Sequence, residues 1–215
     1  MSKIFGNRID ISVEKFLHNL EAGEHGCIFY FSKEEMQKIH FAFVKSGLEN
    51  NWGVVYATAT ESVEEIRKSM QRHGINTLQY EENGQGDGSL IIVRGEELYK
   101  NAENPDVDNW RNAAKSISDK FISKGKKGVR VAADLSTYFL SHRLIQQWHD
   151  LEYILEKKLS SPISILCAYD SHYQELMETD VLKHYDRLYN ENKEFVDAHS
   201  FAIYVGGDKS IIFRI

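Results

Sequence analysis

His25-Gly26-Cys27-Ile28-Phe29-Tyr30-Phe31-Ser32-Lys33-Glu34-Glu35-Met36 passes within twelve residues from an apolar burst to the start of a helix. Residues 26–31 are apolar at nearly every position, the pattern of a strand covered on both faces. Ser32 and Glu35 follow at the S-x-x-E spacing of a capping box and open a predicted helix over 33–48. The same alternation runs along the chain. Strands are expected at 53–58, 89–93, 128–134 and 163–169, and a final pair at 200–205 and 210–215 flanks the turn Gly206-Gly207-Asp208. Helices are expected at 61–73, 107–123, 140–158 and 174–190, each long enough to cross over between parallel strands. An amphipathic helix over 12–22 precedes them, with Val13, Phe16, Leu17 and Leu20 on one face. The expected architecture is α/β: a mostly parallel sheet flanked by helices in three layers, with a C-terminal antiparallel hairpin. Residues 1–215 form one domain, in which 1–22 is a helical extension and 200–215 the hairpin.

Composition bounds the function. With 42% hydrophobic and 27% charged residues, fourteen Gly and two Pro, the chain is globular rather than disordered or repetitive. Its longest stretches without a formal charge are 11 residues, 50–60 and 159–169, against roughly 20 needed to span a bilayer. The first 25 residues carry seven charged side chains and no apolar core for a secretory signal, so a cytoplasmic location without membrane contact is expected. A net charge of −6 disfavours direct nucleic-acid binding. The one basic cluster, from Lys120 to Arg130, reads as the solvated C-terminal turn of a helix. Cys27 and Cys167 sit in apolar runs and read as buried, reduced thiols.

In an open parallel sheet the ligand sits outside the carboxyl ends of the strands. In a nucleotide-binding sheet of this layout, the first such turn would read GxxxxGK[ST]. Here it holds no glycine to let the backbone wrap a phosphate, and Glu34 and Glu35 occupy the positive end of the helix dipole. The turn is sealed against phosphate. Ser62 and Glu65 repeat the capping spacing at the next helix. The glycine-rich run 83–88 precedes a strand rather than following one, and reads as a flexible connection.

The strand ends nevertheless gather polar and aromatic side chains suited to a small pocket: Tyr30 and Ser32; Thr58 and Glu61; Asp134 and Ser136; Tyr169 and Asp170. His25, just before the first strand, and Glu152, beside the apolar stripe Leu144, Trp148, Leu151 and Leu155, join them as candidate ligand contacts. Imidazole and thiol in His25 and Cys27 suit zinc. No C-x-x-C or H-x-x-x-H spacing accompanies them, so neither metal nor cofactor is assigned. No G-x-S-x-G elbow is present and Cys167 lies within a strand, so no catalytic residue is assigned and no enzyme activity is expected.

Several segments together resemble the MEDS domain, the methanogen and methylotroph DcmR sensory domain. They are His25-Gly26-Cys27-Ile28-Phe29-Tyr30, Phe43 to Leu48, Val54-Val55-Tyr56-Ala57 and Val63-Glu64-Glu65-Ile66 through Gly74-Ile75. Later in the chain come Gly128 to Ser136, the helix with Trp148 and Leu151-Glu152, and Cys167-Ala168-Tyr169-Asp170 with Val181-Leu182-Lys183-His184. The resemblance covers about residues 23 to 205, in order. It implies a RecA- and KaiC-like fold that has lost its phosphate loop and senses small organic molecules. It also implies that Cys27 and Cys167 lie on neighbouring central strands. Asp134 would fall where the ATPase relatives carry a magnesium-binding carboxylate, Glu61 near their catalytic acid, and His184 within a family motif. The chain departs from the family in ending its fourth strand with Ala133-Asp134 rather than a glycine–acid pair. It also carries Thr58-Ala59-Thr60 after the second strand, and Tyr185 after His184 where proline is common.

Three functions follow as expectations. The leading one is a non-enzymatic sensor that binds a small, hydrocarbon-derived molecule and is read by a signalling or transcription-regulatory partner, alone or as a homo-oligomer. The second is a degenerate nucleotide-binding protein or ATPase. The third is an assembly module that pairs through the edge of the hairpin Phe201 to Ile215.

Overall fold

The computed structural model of the chain describes residues 11–98, 107–142, 144–156, 162–170, 199–206 and 209–214. The helix expected at 174–190, with His184, lies outside these residues, as does the tip of the hairpin turn. In chain order the elements are α1 (Ile11–His18), β1 (His25–Tyr30), α2 (Lys33–Glu49), β2 (Gly53–Thr58), α3 (Val63–Arg72) and α4 (Thr77–Tyr80). After a 3₁₀ turn at Glu82–Gly84 come β3 (Leu90–Arg94), α5 (Gly95–Leu98), α6 (Val107–Ser123), β4 (Val129–Ala133), α7 (Leu135–Ser141) and α8 (Ile145–Glu156). The chain closes with β5 (Ile163–Asp170), β6 (Phe201–Gly206) and β7 (Lys209–Arg214).

The seven strands form one sheet in the order β3-β2-β4-β5-β1-β6-β7. All neighbours are parallel except β6 and β7, which make the expected antiparallel hairpin at an edge. β5 and β1 adjoin near the sheet centre, with Cys27 opposite Cys167 in register.

Strand alternation divides the core in two. One face sends Ile28, Tyr56, Leu166 and Phe201 against Leu17, Ile39, Phe43 and Ile66 of α1, α2 and α3. The other sends Cys27, Val55, Ile165, Cys167 and Tyr169 against Phe121, Phe139, Trp148 and Leu151 of α6, α7 and α8. Two glycines permit this packing by their lack of a side chain. A Cβ on Gly26 would lie 2.1 Å from the Phe201 ring, and one on Gly53 would lie 2.1 Å from the Phe121 ring.

Both capping boxes form. The Glu35 N–H donates to Ser32 Oγ at 3.3 Å while the Ser32 N–H donates to Glu35 Oε2 at 3.0 Å. Ser62 and Glu65 repeat the arrangement at α3. The glycine-rich run is held by ion pairs: Lys120 and Lys124 reach Glu82, and Lys126 reaches Asp87 at 2.7 Å.

Two expectations need correction. Arg130 is not part of a solvated helix end. It lies in β4 and is fully buried, with its guanidinium donating to the Phe43 and Leu20 carbonyls and to Ser46 Oγ. Its place between Val129 and Val131 follows strand alternation, which the run of lysines before it conceals. The helix expected over 140–158 is in fact two. α7 begins directly after Asp134, and the chain breaks after Ser141 before α8 starts at Ile145. At the break the Leu144 N–H bonds back to the Phe139 carbonyl at 2.8 Å.

Candidate functional site

At the carboxyl ends of β2 and β4 the acidic side chains are engaged with their own loops. Asp134 is buried and accepts hydrogen bonds from the Ala59 N–H at 2.5 Å, Thr60 Oγ1 at 3.0 Å and Thr58 Oγ1 at 3.3 Å. Burial pushes its carboxyl up to about 6, against the downward pull of those three donors. Glu61 accepts from Gln37 Nε2 at 2.6 Å and pairs with Lys33 Nζ at 2.7 Å. Lys33 is the first residue of α2, so the lysine nearest the sealed turn is tied to a carboxylate of the next loop. Ser136 donates to the Ala168 carbonyl, fastening α7 to β5.

A second group assembles on the other face, between the sheet and α8. β1 begins with His25; β5 supplies Cys167 and Tyr169; α8 supplies Glu152 and Trp148; and His199 lies two residues ahead of β6. His25, Glu152, His199 and Tyr169 are all buried. The two imidazoles stack with ring centroids 4.2 Å apart. Glu152 lies between them and Tyr169: its Oε1 accepts the Tyr169 hydroxyl at 2.6 Å, while its Oε2 faces Nε2 of both His25 and His199 at 3.7 Å. Cys167 Sγ lies 3.7 Å from His25 Nε2. Burial raises the Glu152 carboxyl above its ordinary range, while His199, Tyr169 and Trp148 pull it down. Burial likewise pushes both thiols up, so neither is a ready nucleophile. Around this group Phe29 stacks on Tyr169 at 5.5 Å and Trp148 meets Tyr169 edge-on at 5.7 Å.

The residues singled out in the sequence therefore separate. His25, Glu152 and Tyr169 come together. Thr58, Glu61 and Asp134 form a different network at the ends of β2 and β4. Tyr30 is buried on the opposite face, among the residues packed under α2. Ser32 is the helix cap, and Asp170 ends β5 half-buried. His184 lies outside the described residues. The sequence reading passed over His199, which lacks a nearby motif, and treated Cys167 as core alone. The register of Cys27 against Cys167 is the signal that points to this stretch of β5.

The pattern described as the MEthanogen/methylotroph, DcmR Sensory domain matches residues 24–186. The chain belongs to the MEDS family. Its MEDS region contains every residue of the two networks except His199. None of the curated proteins matches the chain. Among solved structures, the MEDS chain is similar to a KaiC-like protein from the hyperthermophilic archaeon Pyrococcus horikoshii OT3. The TM-score is 0.55 at 14% identity, over 90% of this chain and 79% of that one. At that identity the likeness establishes the fold, a three-layer RecA- and KaiC-like sheet. No described helix is long and apolar enough to cross a membrane.

Proposed function

We propose that this MEDS chain is a non-enzymatic sensory domain that binds a small organic, hydrocarbon-derived molecule and presents its conformational state to a signalling or transcription-regulatory partner. The observation that carries the reading is the closed turn after β1. Where a nucleotide-binding relative needs free backbone N–H groups, the Ser32–Glu35 capping box occupies them, and Lys33 is paired with Glu61. An ATP phosphate would have to displace both. The aromatic surround of Tyr169, with Phe29 and Trp148, supplies an apolar wall, and Glu152 a buried polar group to orient a small ligand.

Native mass spectrometry of the purified chain tests this, first for a retained organic molecule and then with magnesium and ATP added. A retained or added organic adduct without an ATP adduct is the expected result. A stoichiometric, magnesium-dependent ATP adduct overturns it and returns the domain to nucleotide binding.

A further inference from the structure

His25, Glu152 and His199 converge from three separate segments, and their donor atoms lie within 4.8 Å of one another. Two imidazole nitrogens facing one carboxylate oxygen is the donor set of three-ligand zinc sites and of the two-histidine, one-carboxylate sites of non-haem iron. Metal–ligand bonds of about 2.0–2.1 Å place neighbouring donors of a tetrahedral ion roughly 3.3 Å apart. Here both imidazole Nε2 atoms lie 3.7 Å from Glu152 Oε2 and all three donors fall within 4.8 Å of one another, so an ion is held once the donors draw in around it. A second observation is independent of that convergence. Glu152 Oε2 is buried at 3% side-chain exposure and, among the described residues, meets no hydrogen-bond donor at bonding distance. No lysine or arginine among the described residues pairs with Glu152. A buried carboxylate oxygen so placed is costly unless a cation or a strong donor meets it.

The outer contacts are those of a built site. The Tyr169 hydroxyl donates to the other oxygen of Glu152 at 2.6 Å, fixing the carboxylate so that Oε2 points at the imidazoles. The stacked rings hold both Nε2 atoms toward the same oxygen. Trp148, Leu151 and Ile165 close an apolar shell on this face of the sheet.

We infer that His25 Nε2, His199 Nε2 and Glu152 Oε2 form a binding site for one divalent transition-metal ion, zinc or ferrous iron, between the central sheet and α8. The three protein ligands leave a coordination position open. Cys167 Sγ borders the site next to His25 and lies outside the triad. This inference goes beyond the sensory reading and does not depend on the identity of any organic stimulus.

The test uses the full chain without an affinity tag, produced in zinc-supplemented medium and, in parallel, anaerobically with ferrous iron. Elemental analysis and thermal unfolding are read on each preparation. The expected result is one zinc or iron ion per chain and a Tm that falls on chelation. In Glu152→Gln, which keeps side-chain volume, and in His199→Ala, the metal falls to background while unfolding remains cooperative. Tyr169→Phe retains the triad and weakens metal binding by about 10- to 100-fold. Wild-type protein without stoichiometric metal in either preparation overturns the inference. So does full metal content in both Glu152→Gln and His199→Ala. Should those two variants fail to fold, Tyr169→Phe binding the ion as tightly as wild type overturns it instead. None of these readouts involves an organic ligand or ATP, so the sensory reading stands or falls separately.

Discussion

Tyr169 and Glu152 meet at 2.6 Å across the boundary between β5 and α8, and both are buried there. The contact is a neutral donor on a carboxyl that burial drives toward its protonated form. It fastens α8 to the central strand and sets the direction of the second carboxyl oxygen. Tyr169→Phe should destabilise the fold by about 1–3 kcal/mol, the range for leaving a buried acceptor without its donor. Urea unfolding should show a lower midpoint with an unchanged m value. An unchanged midpoint would mean the carboxyl finds another donor at no cost.

His40 and Asp134 should give the domain opposed responses to acid. His40 is fully buried, and burial pulls its imidazole down to about 3. Its contribution is intact above about 6.5, the ordinary histidine value, and is lost as pH falls toward about 3, because the unfolded chain takes up the proton first. Asp134, pushed up to about 6, acts in the other sense. It favours the folded state below about 3.8 and loses that contribution as pH rises through about 6. Each slope is at most about 1.4 kcal/mol per pH unit. Between pH 4 and 6, roughly the interval separating the two Asp134 values, Asp134→Asn should lose stability on acidification more steeply than the parent, and His40→Phe less steeply. Parallel stability profiles for all three proteins would refute both assignments.

Arg130 is a buried cation whose hydrogen bonds go to two carbonyls and a hydroxyl. Burial draws it down to about 10, and its guanidinium lies 5.0 Å from the Phe43 ring centre and 5.4 Å from that of Trp52. A planar fork reaches acceptors on several segments and stacks on rings; an ammonium does neither well. Arg130→Lys should therefore cost about 2 kcal/mol or more, by leaving buried carbonyls unpaired. Equilibrium unfolding of the two proteins gives the comparison, and equal stability would show that charge alone is sufficient there.

Cys27 and Cys167 are buried and free, with thiols pushed up by burial and by nearby Glu152. A colourimetric disulfide reagent should leave both unreacted in the native protein for as long as the fold holds, and titrate two thiols once denaturant is added. Rapid labelling of either thiol at neutral pH without denaturant would contradict that.

What the sequence disclosed and what it withheld divide along a physical line. Local signals were readable because their causes are local. Apolar bursts of strand length, two S-x-x-E boxes and the glycine-containing turns give the α/β order, and the structure contains them. His25, Glu152 and Tyr169 stood out because each is a polar group beside apolar neighbours. Their meeting with His199 did not, since it depends on β6 docking beside β1 far along the chain. Arg130 was misread because alternation within a five-residue strand is a weak signal next to four lysines. The division of α7 from α8 has no local signal, because no proline or glycine marks the break.

The parallel docking of β6 on β1 also sets an order of events. His199 immediately precedes the last parallel strand, and Glu152 and Tyr169 belong to segments made earlier. Contacts this remote in sequence pay their loop-closure entropy before pairing rewards it, and β6 can join only a β1 that is already in place. A nascent or clipped chain that stops short of residue 199 can pair β1 with β5 and seat α8, but holds Glu152 against a single imidazole. The completed cluster therefore marks that β6 has been made and has docked on β1, and hydrogen exchange during refolding times that step against the pairing of β5.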